Sequence, residues 1–192
     1  MHTVFALPLC YLIINWVLLL SYEAHSLGFN PQEMTHHTTG DWALRFLLIT
    51  LCISPIARWR SARGLMAYRR MAGLWSFVYI VLHILSYLWL EKFFDWHEIW
   101  GDIVKRPYIT IGMITFLSLL PLAVTSTSGW IKRLGAAKWQ SLHRLIYLAA
   151  LLAPLHFIMM RKGWQIEPRV YAILALVLIA ARMPIILRHR FK

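Results

Sequence analysis

The sequence predicts an all-α, polytopic membrane protein, built as a bundle of six transmembrane helices. Three observations predict this fold class. Hydrophobic residues make up 59% of the 192 residues, and charged residues only 15%. The mean hydropathy of +0.57 lies outside the range of soluble globular domains. Apolar runs that can cross about 30 Å of hydrocarbon as a helix recur along the whole chain.

Three runs are long enough to span a membrane without interruption. Residues 3–22 and 107–131 contain no charged side chain, and residues 71–90 contain none apart from His83. No Lys or Arg precedes the run 3–22, which is longer than the apolar core of a signal peptide. We therefore expect it to be a transmembrane helix that is retained.

Three further helices are shorter or have a charged residue near one end. They are predicted at residues 42–57, 145–160 and 170–187. Arg45 lies near the start of the first and Arg182 near the end of the last, where an arginine can extend its side chain to the lipid headgroups. The connections are short and no internal repeat is visible, so residues 1–192 are expected to form a single domain.

Basic residues are distributed unevenly among the connecting segments. Segments 58–70 and 132–144 and the C-terminal tail together contain thirteen Lys or Arg residues and no Asp or Glu. Because short loops rich in Lys and Arg stay in the cytoplasm, both termini are expected there, in a bacterial inner membrane. Loops 21–41, 91–106 and 161–169 are then expected in the periplasm.

The net charge of +12 follows largely from this asymmetry. Anionic membrane lipid is therefore the expected partner of the basic segments. No module that stacks or reads bases is recognisable, so no nucleic-acid partner is expected. Cys10 and Cys52 lie in apolar runs and no CxxCH sequence occurs, which argues against a disulfide framework and against covalently attached haem.

Two histidines lie inside predicted transmembrane helices. His83 is the thirteenth residue of the run 71–90, and His156 lies within the run 145–160. An ionisable side chain at membrane depth is costly and tends to mark a function. Two neutral imidazoles that face each other across an apolar slot suit a non-covalent b-type haem. The alternative is a pair of neutral histidines that only hydrogen-bond to neighbouring helices.

A third candidate ligand, His143, lies at the cytoplasmic start of the fifth helix. It is thirteen residues from His156, which is about 20 Å of helix rise, so the two belong to sites at different depths. Their side chains also lie roughly 140° apart unless Pro154 distorts the helix. Arg69 aligns with His83 within about 40°. Because Arg69 stays protonated, we expect it to pair with haem propionates or a flavin phosphate, or to be one more cytoplasmic charge.

Eight short stretches form a specific pattern along about residues 35–190. They are HTTGDWAL at 37–44, TLCISPIAR at 50–58, RRMAGLW at 69–75, LHILSY at 82–87, RPYIT at 106–110, LG at 134–135, WQSLH at 139–143 and APLH at 153–156. In these stretches the chain resembles the haem-binding membrane subunits of bacterial periplasmic methionine sulfoxide reductase systems. These are small members of the ferric-reductase-like transmembrane group. The N-terminal helix is similar only in hydropathy.

The resemblance implies a six-helix bundle in which His83, His143 and His156 occupy haem-associated positions. Larger relatives, the NADPH oxidases and ferric reductases, use two histidines on each of two helices to hold two stacked haems. Arg69 stands where the fourth histidine would be, so one haem b is implied, and a second haem and the pairing of His143 stay open. His37 falls on a family motif at the outer start of the second helix. A role at the haem or partner face and a simple helix-start residue are its two interpretations.

The same resemblance implies an electron-transfer subunit. Electrons are expected from FMN and a cytoplasmic flavin reductase, or from quinol, because no soluble flavin domain follows the membrane region. They would pass through haem b to a periplasmic molybdopterin methionine sulfoxide reductase that repairs oxidised proteins. The chemistry on the sulfoxide would then belong to this partner. The sequence itself contains no recognisable FMN fingerprint.

Two other functions stay open from the residues alone. One is a small transporter or proton pathway in which His83 and His156 titrate. The predicted helices contain no Asp or Glu and no inverted repeat is visible, which argues against it. The other is a structural assembly subunit whose histidines only pack. A reducible haem absorption spectrum would support electron transfer and neither alternative.

Overall fold

The computed structural model describes residues 2–59, 63–161 and 163–182, which are helical with short connections and contain no β-strand. The α-helices of the described chain are α1 (His2–Leu20), α2 (Pro31–Trp59), α3 (Met66–Leu85), α4 (Trp96–Lys105), α5 (Pro107–Val124), α6 (Ser128–Leu134), α7 (Ala136–Leu142), α8 (Leu145–Met160) and α9 (Ile166–Ala180). A 3₁₀ turn at Arg63–Leu65 precedes α3, and a π-helical segment at Ser86–Glu91 continues it.

Five helical stretches within the described ranges are long and apolar enough to cross a membrane. They are His2–Leu20, Pro31–Trp59, Met66–Glu91, Pro107–Val124 and Ala136–Met160. The prediction of an all-α, multi-pass membrane protein is therefore confirmed. The sixth predicted helix, 170–187, corresponds to α9, which begins at Ile166 and is helical to Ala180. Its last predicted residues, 183–187, lie outside the described residues. The same holds for residues 188–192 of the basic tail and for Arg60 of the segment 58–70.

The predicted start of the second helix is wrong, because α2 begins at Pro31 and not at residue 42. The Asn30 side chain accepts a hydrogen bond from the Glu33 backbone N–H at 3.2 Å and donates one to the Glu33 carboxylate at 3.1 Å. Together with a proline in the first turn, this reciprocal cap starts the helix inside the segment expected as a loop.

The extra turns of α2 bring an acidic residue into the bundle. Asp41, expected in a periplasmic loop, lies in α2 with Oδ2 4.0 Å from Nη2 of Arg45. Arg45 also donates from Nε to the Tyr171 hydroxyl at 2.9 Å and lies 3.6 Å from the Glu167 carboxylate. Arg45 therefore joins α2 to α9 and does not extend alone toward the headgroups.

The predicted end of the fourth helix is also wrong, because α5 stops at Val124 and not at residue 131. The Thr125 hydroxyl donates to the Pro121 carbonyl and the Ser126 hydroxyl to the Leu122 carbonyl, both at 2.6 Å. The Ser126 bond satisfies a carbonyl of the last turn, and the Pro121 carbonyl accepts both the hydroxyl and the backbone N–H of Thr125. The chain then turns into the separate helix α6, a break that a charge-free sequence does not reveal.

Two helix pairs form most of the bundle. Helix α2 packs along α3 and α5 packs along α8, whereas contacts between the two pairs are much sparser. Helix α9 adds to the second pair by packing against α8. The largest cluster of buried apolar residues comes from α2, α5, α8 and α9: Leu44, Leu47, Leu48, Leu51, Leu119, Leu122, Ile146, Ala149, Ala150, Phe157, Ala175 and Leu178.

A proline leaves a gap in the hydrogen bonding of α2, and a buried arginine fills it. Pro55 has no N–H, so it cannot bond to the Leu51 carbonyl one turn earlier. Arg182 donates to that carbonyl from Nε at 3.0 Å and from Nη2 at 2.6 Å, and from Nη2 to the Thr50 carbonyl at 3.0 Å. With 2% of its surface exposed, Arg182 turns into the bundle and not toward the headgroups.

Candidate functional site

The two histidines predicted at membrane depth lie side by side. His83 near the end of α3 and His156 near the end of α8 have ring centroids 6.2 Å apart and ring planes 85° apart. Because α3 and α8 belong to different helix pairs, the two rings meet where those pairs face each other. The prediction that these helices place the two residues at a similar depth therefore agrees with the geometry.

A backbone carbonyl of a neighbouring helix holds each ring. His83 Nδ1 lies 3.0 Å from the His36 carbonyl of α2, and His156 Nδ1 lies 2.7 Å from the Tyr108 carbonyl of α5. A carbonyl oxygen only accepts, so each Nδ1 bears the proton of a neutral imidazole. The Nε2 lone pair of each ring is then available for a metal, and the N–H bond fixes the ring orientation.

The separation of the rings fits an iron between them. Two metal–imidazole bonds of about 2 Å, with each centroid about 1 Å beyond its nitrogen, separate the centroids by roughly 6 Å. The observed distance between the His83 and His156 centroids is 6.2 Å. No three His, Cys, Asp or Glu side chains of the described chain are grouped to hold a metal ion. Two protein ligands suit a haem, because the porphyrin supplies the remaining nitrogens.

His36, which sequence reasoning missed, is the histidine of α2 that contacts this pair. Its ring stacks on His83 with centroids 4.0 Å apart and planes 21° apart. His36 Nδ1 lies 2.9 Å from the Ser86 hydroxyl, which itself donates to the His83 carbonyl at 2.8 Å. The predicted His37 instead lies 3.4 Å from the Glu33 carboxylate. The sequence signal for His36 was the cap at Asn30, because a helix that starts there includes residue 36.

His143 lies at the other end of α8, in the turn between α7 and α8. Its ring stacks on Trp139 with centroids 3.9 Å apart, and its Nε2 lies 3.0 Å from the Thr125 hydroxyl. That hydroxyl gives its own hydrogen to the Pro121 carbonyl, so His143 Nε2 must donate. Because His143 precedes α8, the rotation of 140° expected along one continuous helix does not apply.

Arg69 lies on the same side of the bundle and lines a cavity of about 370 Å³. Arg58 and Arg182 line it too, and none of its described lining residues is acidic. The Ser54 hydroxyl, another lining group, is buried without a hydrogen-bond partner. The remaining lining residues are Ala57, Met66 and Tyr147. Several guanidinium groups around one space, without a carboxylate, form the chemistry of an anion site.

A polar cluster fixes α4 to the opposite ends of the spans. Lys92 Nζ lies 2.8 Å from Asp102 Oδ2 and 2.7 Å from Glu98 Oε1. Arg106 Nε lies 3.1 Å from Asp102 Oδ1, and the Tyr87 hydroxyl donates to Asp102 Oδ2 at 2.9 Å. The segment 91–106, expected as a loop, is therefore largely an anchored helix.

The charges of this cluster stabilise each other. Burial alone would raise the pKa of Asp102, but the hydrogen bonds from Lys92 and Tyr87 and the nearby charges hold it below its ordinary value. Burial alone would lower the pKa of Lys92, but its hydrogen bonds to Asp102 and Glu98 raise it. Both groups are therefore ionised near neutral pH, which favours the folded anchor.

Comparison with known proteins agrees with this architecture. The profile of the family described as "Ferric reductase like transmembrane component" matches residues 39–154. Three relatives bear the name "protein-methionine-sulfoxide reductase heme-binding subunit MsrQ". The chain is 41% identical to that of Caulobacter vibrioides, over 91% of this chain and 82% of the relative. It is 47% identical to that of Rhodospirillum rubrum, over 85% and 79%, and 49% identical to that of Xanthomonas campestris pv. campestris, over 80% and 70%.

The family profile covers more than half of this chain, including both His83 and His143. The relatives extend the similarity across most of the chain, from organisms of different genera. The resemblance found in the short sequence stretches is thereby confirmed. The chain belongs to the ferric-reductase-like transmembrane family and, within it, to the MsrQ proteins.

Proposed function

We propose that this chain is a haem b subunit that passes electrons across the membrane to a protein-methionine-sulfoxide reductase. The observation that supports this most directly is the His83–His156 pair, whose Nδ1 atoms bond to carbonyls and leave both Nε2 atoms free. These two residues would bind the iron from opposite sides. Haem bound there supplies one-electron redox chemistry. The names of the relatives, which describe heme-binding subunits, support the same conclusion.

The chain's own residues orient the ligands and keep them neutral. The carbonyls of His36 and Tyr108 fix the proton of each ring on Nδ1, so neither ring needs to lose a proton when it binds a metal. The stacked His36 ring limits rotation of His83, and Ser86 holds His36 in place. The site is therefore organised before the cofactor binds, which limits the structural change on reduction and oxidation.

At the inner level, His143 and Arg69 would serve a second group. The three arginines of the cavity and the unpartnered Ser54 hydroxyl support an anionic ligand there. We propose that Arg69 binds a haem propionate or a flavin phosphate, not iron, because a guanidinium stays protonated. His143 would contribute to a weaker second haem or to a relay close to FMN. His37 would contribute to the outer partner face.

The orientation that we propose has six transmembrane helices, α1, α2, α3, α5, α8 and α9, with both termini in the cytoplasm of a bacterial inner membrane. The absence of acids from the segments 58–70 and 132–144 supports it. Trp96 and Trp100 of α4 are exposed, as is typical of aromatic side chains at the headgroup level. His156 bonds to Tyr108 at the start of α5, directly after α4, so the outer haem would lie near the periplasm.

Electrons would enter from a cytoplasmic flavin reductase through FMN, or from the quinol pool. They would leave toward a periplasmic molybdopterin catalytic subunit, which reduces methionine sulfoxide in oxidised proteins. The proposed site supports this division of labour, because a haem held by both histidines would have no open position for a sulfoxide oxygen. The chain would therefore transfer electrons without performing the chemistry on the sulfoxide.

The reduced-minus-oxidised absorption spectrum of the purified protein tests this function. We expect a Soret band and a sharp α band of low-spin haem b, and reduction by a flavin reductase with FMN or by a quinol. A protein purified after expression with added haem that shows no such bands would contradict the proposal. A proton-pathway function would then be preferred, with proton flux that depends on His83 and His156.

A further inference from the structure

The rings of the two outer histidines, His83 and His156, are held in the same way, each in a seat that a backbone carbonyl and a glycine of a neighbouring helix form. Each ring donates its Nδ1–H to a carbonyl of a neighbouring helix, α2 for His83 and α5 for His156. Four residues after each accepting carbonyl, and therefore on the same face of that helix, lies a glycine: Gly40 on α2 and Gly112 on α5. The two helix pairs thus repeat one arrangement of carbonyl, glycine and histidine.

Both glycines lie so close to the rings that an added Cβ atom would crowd them. A Cβ atom at position 40 would lie 3.0 Å from both Cε1 and Nδ1 of His83. A Cβ atom at position 112 would lie 3.1 Å from the same two atoms of His156. Carbon atoms in favourable contact lie about 3.5–4.0 Å apart, so either ring would have to move away from an added methyl group.

A ring that moves away weakens its hydrogen bond, because Nδ1, one of the two atoms that the added Cβ would crowd, is also the atom that donates to the carbonyl. Nδ1 of His83 is 3.0 Å from its carbonyl and Nδ1 of His156 is 2.7 Å from its own. A hydrogen bond weakens steeply as its length and angle depart from these values. An alanine would therefore turn or shift the imidazole and change the direction of its Nε2 lone pair.

We propose that Gly40 and Gly112 are positioning residues that set the angle between the two axial imidazole planes. This inference rests on the proposed haem function. The missing Cβ atoms allow each ring to lie against the neighbouring helix, and the two seats together give the angle of 85°. Perpendicular axial imidazoles leave two iron d orbitals nearly equal in energy. A low-spin ferric haem held in this way has a strongly anisotropic electron paramagnetic resonance (EPR) signal.

The experiment compares the wild type with Gly40→Ala, Gly112→Ala and the control Gly73→Ala. Gly73 lies on α3, where an added Cβ would meet Thr50 Cγ2 at an ordinary 3.5 Å. Bound haem per chain, the lowest-field EPR g value and the midpoint potential are measured, with circular dichroism and gel filtration as checks of folding. We expect the wild type and Gly73→Ala to share one strongly anisotropic signal. In the two seat variants, Gly40→Ala and Gly112→Ala, the signal should shift or the bound haem should fall severalfold, while the helical content stays the same.

Unchanged haem content, g value and potential in both seat variants would overturn the inference. The wild-type spectrum alone provides a second measurement if a seat variant fails to accumulate. A rhombic signal, typical of nearly parallel imidazoles, would show that the seats do not set the angle and would overturn it as well. Failure of the proposed function looks different, because the wild type itself would then bind no haem.

Discussion

His83 and His156 meet at right angles, with ring planes 85° apart, although they come from different helix pairs. Each ring is one of only two protein ligands that we assign to the iron. The loss of either ring therefore leaves five-coordinate or no haem.

We expect His83→Ala and His156→Ala each to abolish the low-spin haem spectrum. One remaining axial imidazole cannot maintain six-coordination, so the α band should be lost or the haem should not copurify. His97→Ala, at an exposed position of α4, is the matched control and should have the wild-type spectrum. Wild-type spectra in both site variants would contradict the assignment.

Replacement of Arg69 should weaken the inner site without affecting the outer one. A charge-assisted hydrogen bond contributes about 1.5 kcal/mol or more, so Arg69→Ala should weaken FMN binding by about tenfold or more. Arg69→Lys should behave as Arg69→Ala if the planar guanidinium is needed, and as wild type if charge suffices. Lys138→Ala, an exposed cation of α7, controls for the loss of charge. FMN titration followed by fluorescence gives the affinity.

His143→Ala should reduce the rate of flavin-driven haem reduction and, if a second haem is present, the haem content. His143 lies close enough to Arg69, a lining residue of the cavity, for the two side chains to interact electrostatically, at the end of the bundle that we propose to be cytoplasmic. The measurements are haem per chain and the stopped-flow rate of haem reduction. A single-haem protein without an inner site would be the better description if both values equal those of wild type.

The orientation predicts the side of two reporter fusions. Alkaline phosphatase inserted at residues 163–165, just before α9, should be active, because this enzyme matures only in the periplasm. A fluorescent protein fused after Lys192 should be fluorescent, because that position is expected in the cytoplasm. The reverse pattern would refute the orientation and would invert the direction of electron flow.

The cluster around Asp102 predicts a pH dependence of stability. Because the folded protein lowers the pKa of Asp102, its contribution is present above the ordinary value of 3.8 and is lost as pH falls through the folded pKa. Because the fold raises the pKa of Lys92, that contribution is present below 10.5 and is lost as pH rises through the raised pKa.

Thermal unfolding of Asp102→Asn in one detergent tests this dependence. Removal of one partner of a buried ion pair should destabilise the protein by on the order of 3 kcal/mol at pH 7. The difference from wild type should shrink at pH values below the folded pKa of Asp102. Glu98→Gln, at a side chain 58% exposed, should have a much smaller effect. A pH-independent difference would exclude the electrostatic explanation.

Arg182 and Pro55 should be energetically coupled. Arg182→Met leaves the Leu51 carbonyl buried without a partner, which should cost about 1–3 kcal/mol. In a Pro55→Ala background the new N–H at position 55 can bond to that carbonyl, so the same replacement should cost less. Thermal unfolding of the two single variants and the double variant measures the coupling, which we expect to be about 1 kcal/mol. Additive effects would contradict it.

The sequence predicted the features that the bilayer itself enforces. An apolar run long enough to span hydrocarbon has few alternatives to a helix, and α8 has the predicted bounds, 145–160. The cost of an ionisable group at this depth identified His83 and His156, which the structure brings together. Their mutual approach required that the α2–α3 and α5–α8 pairs face each other.

The details of the site depend on contacts that leave little trace in a sequence. The partners of His83 and His156 are backbone carbonyls, which every residue has. The end of α5 depends on the hydroxyl groups of Thr125 and Ser126, which bond to carbonyls of its last turn. The run of residues 107–131 has no charge that would indicate this helix end. The start of α2 was readable, because Asn30 and Glu33 have the spacing of a reciprocal cap.

The division of the bundle into two helix pairs has a consequence for biogenesis. The α2–α3 pair is synthesised first and already contains one complete half-site, His83 against Gly40. The second half-site, His156 against Gly112, exists only after α5 and α8 have inserted. An iron bonded to both rings would cross-link the two helix pairs, between which direct contacts are sparse. The free energy of unfolding would then rise with the free haem concentration. In a cell that lacks haem, the two helix pairs would not be cross-linked, and membrane proteases would degrade this less stable form.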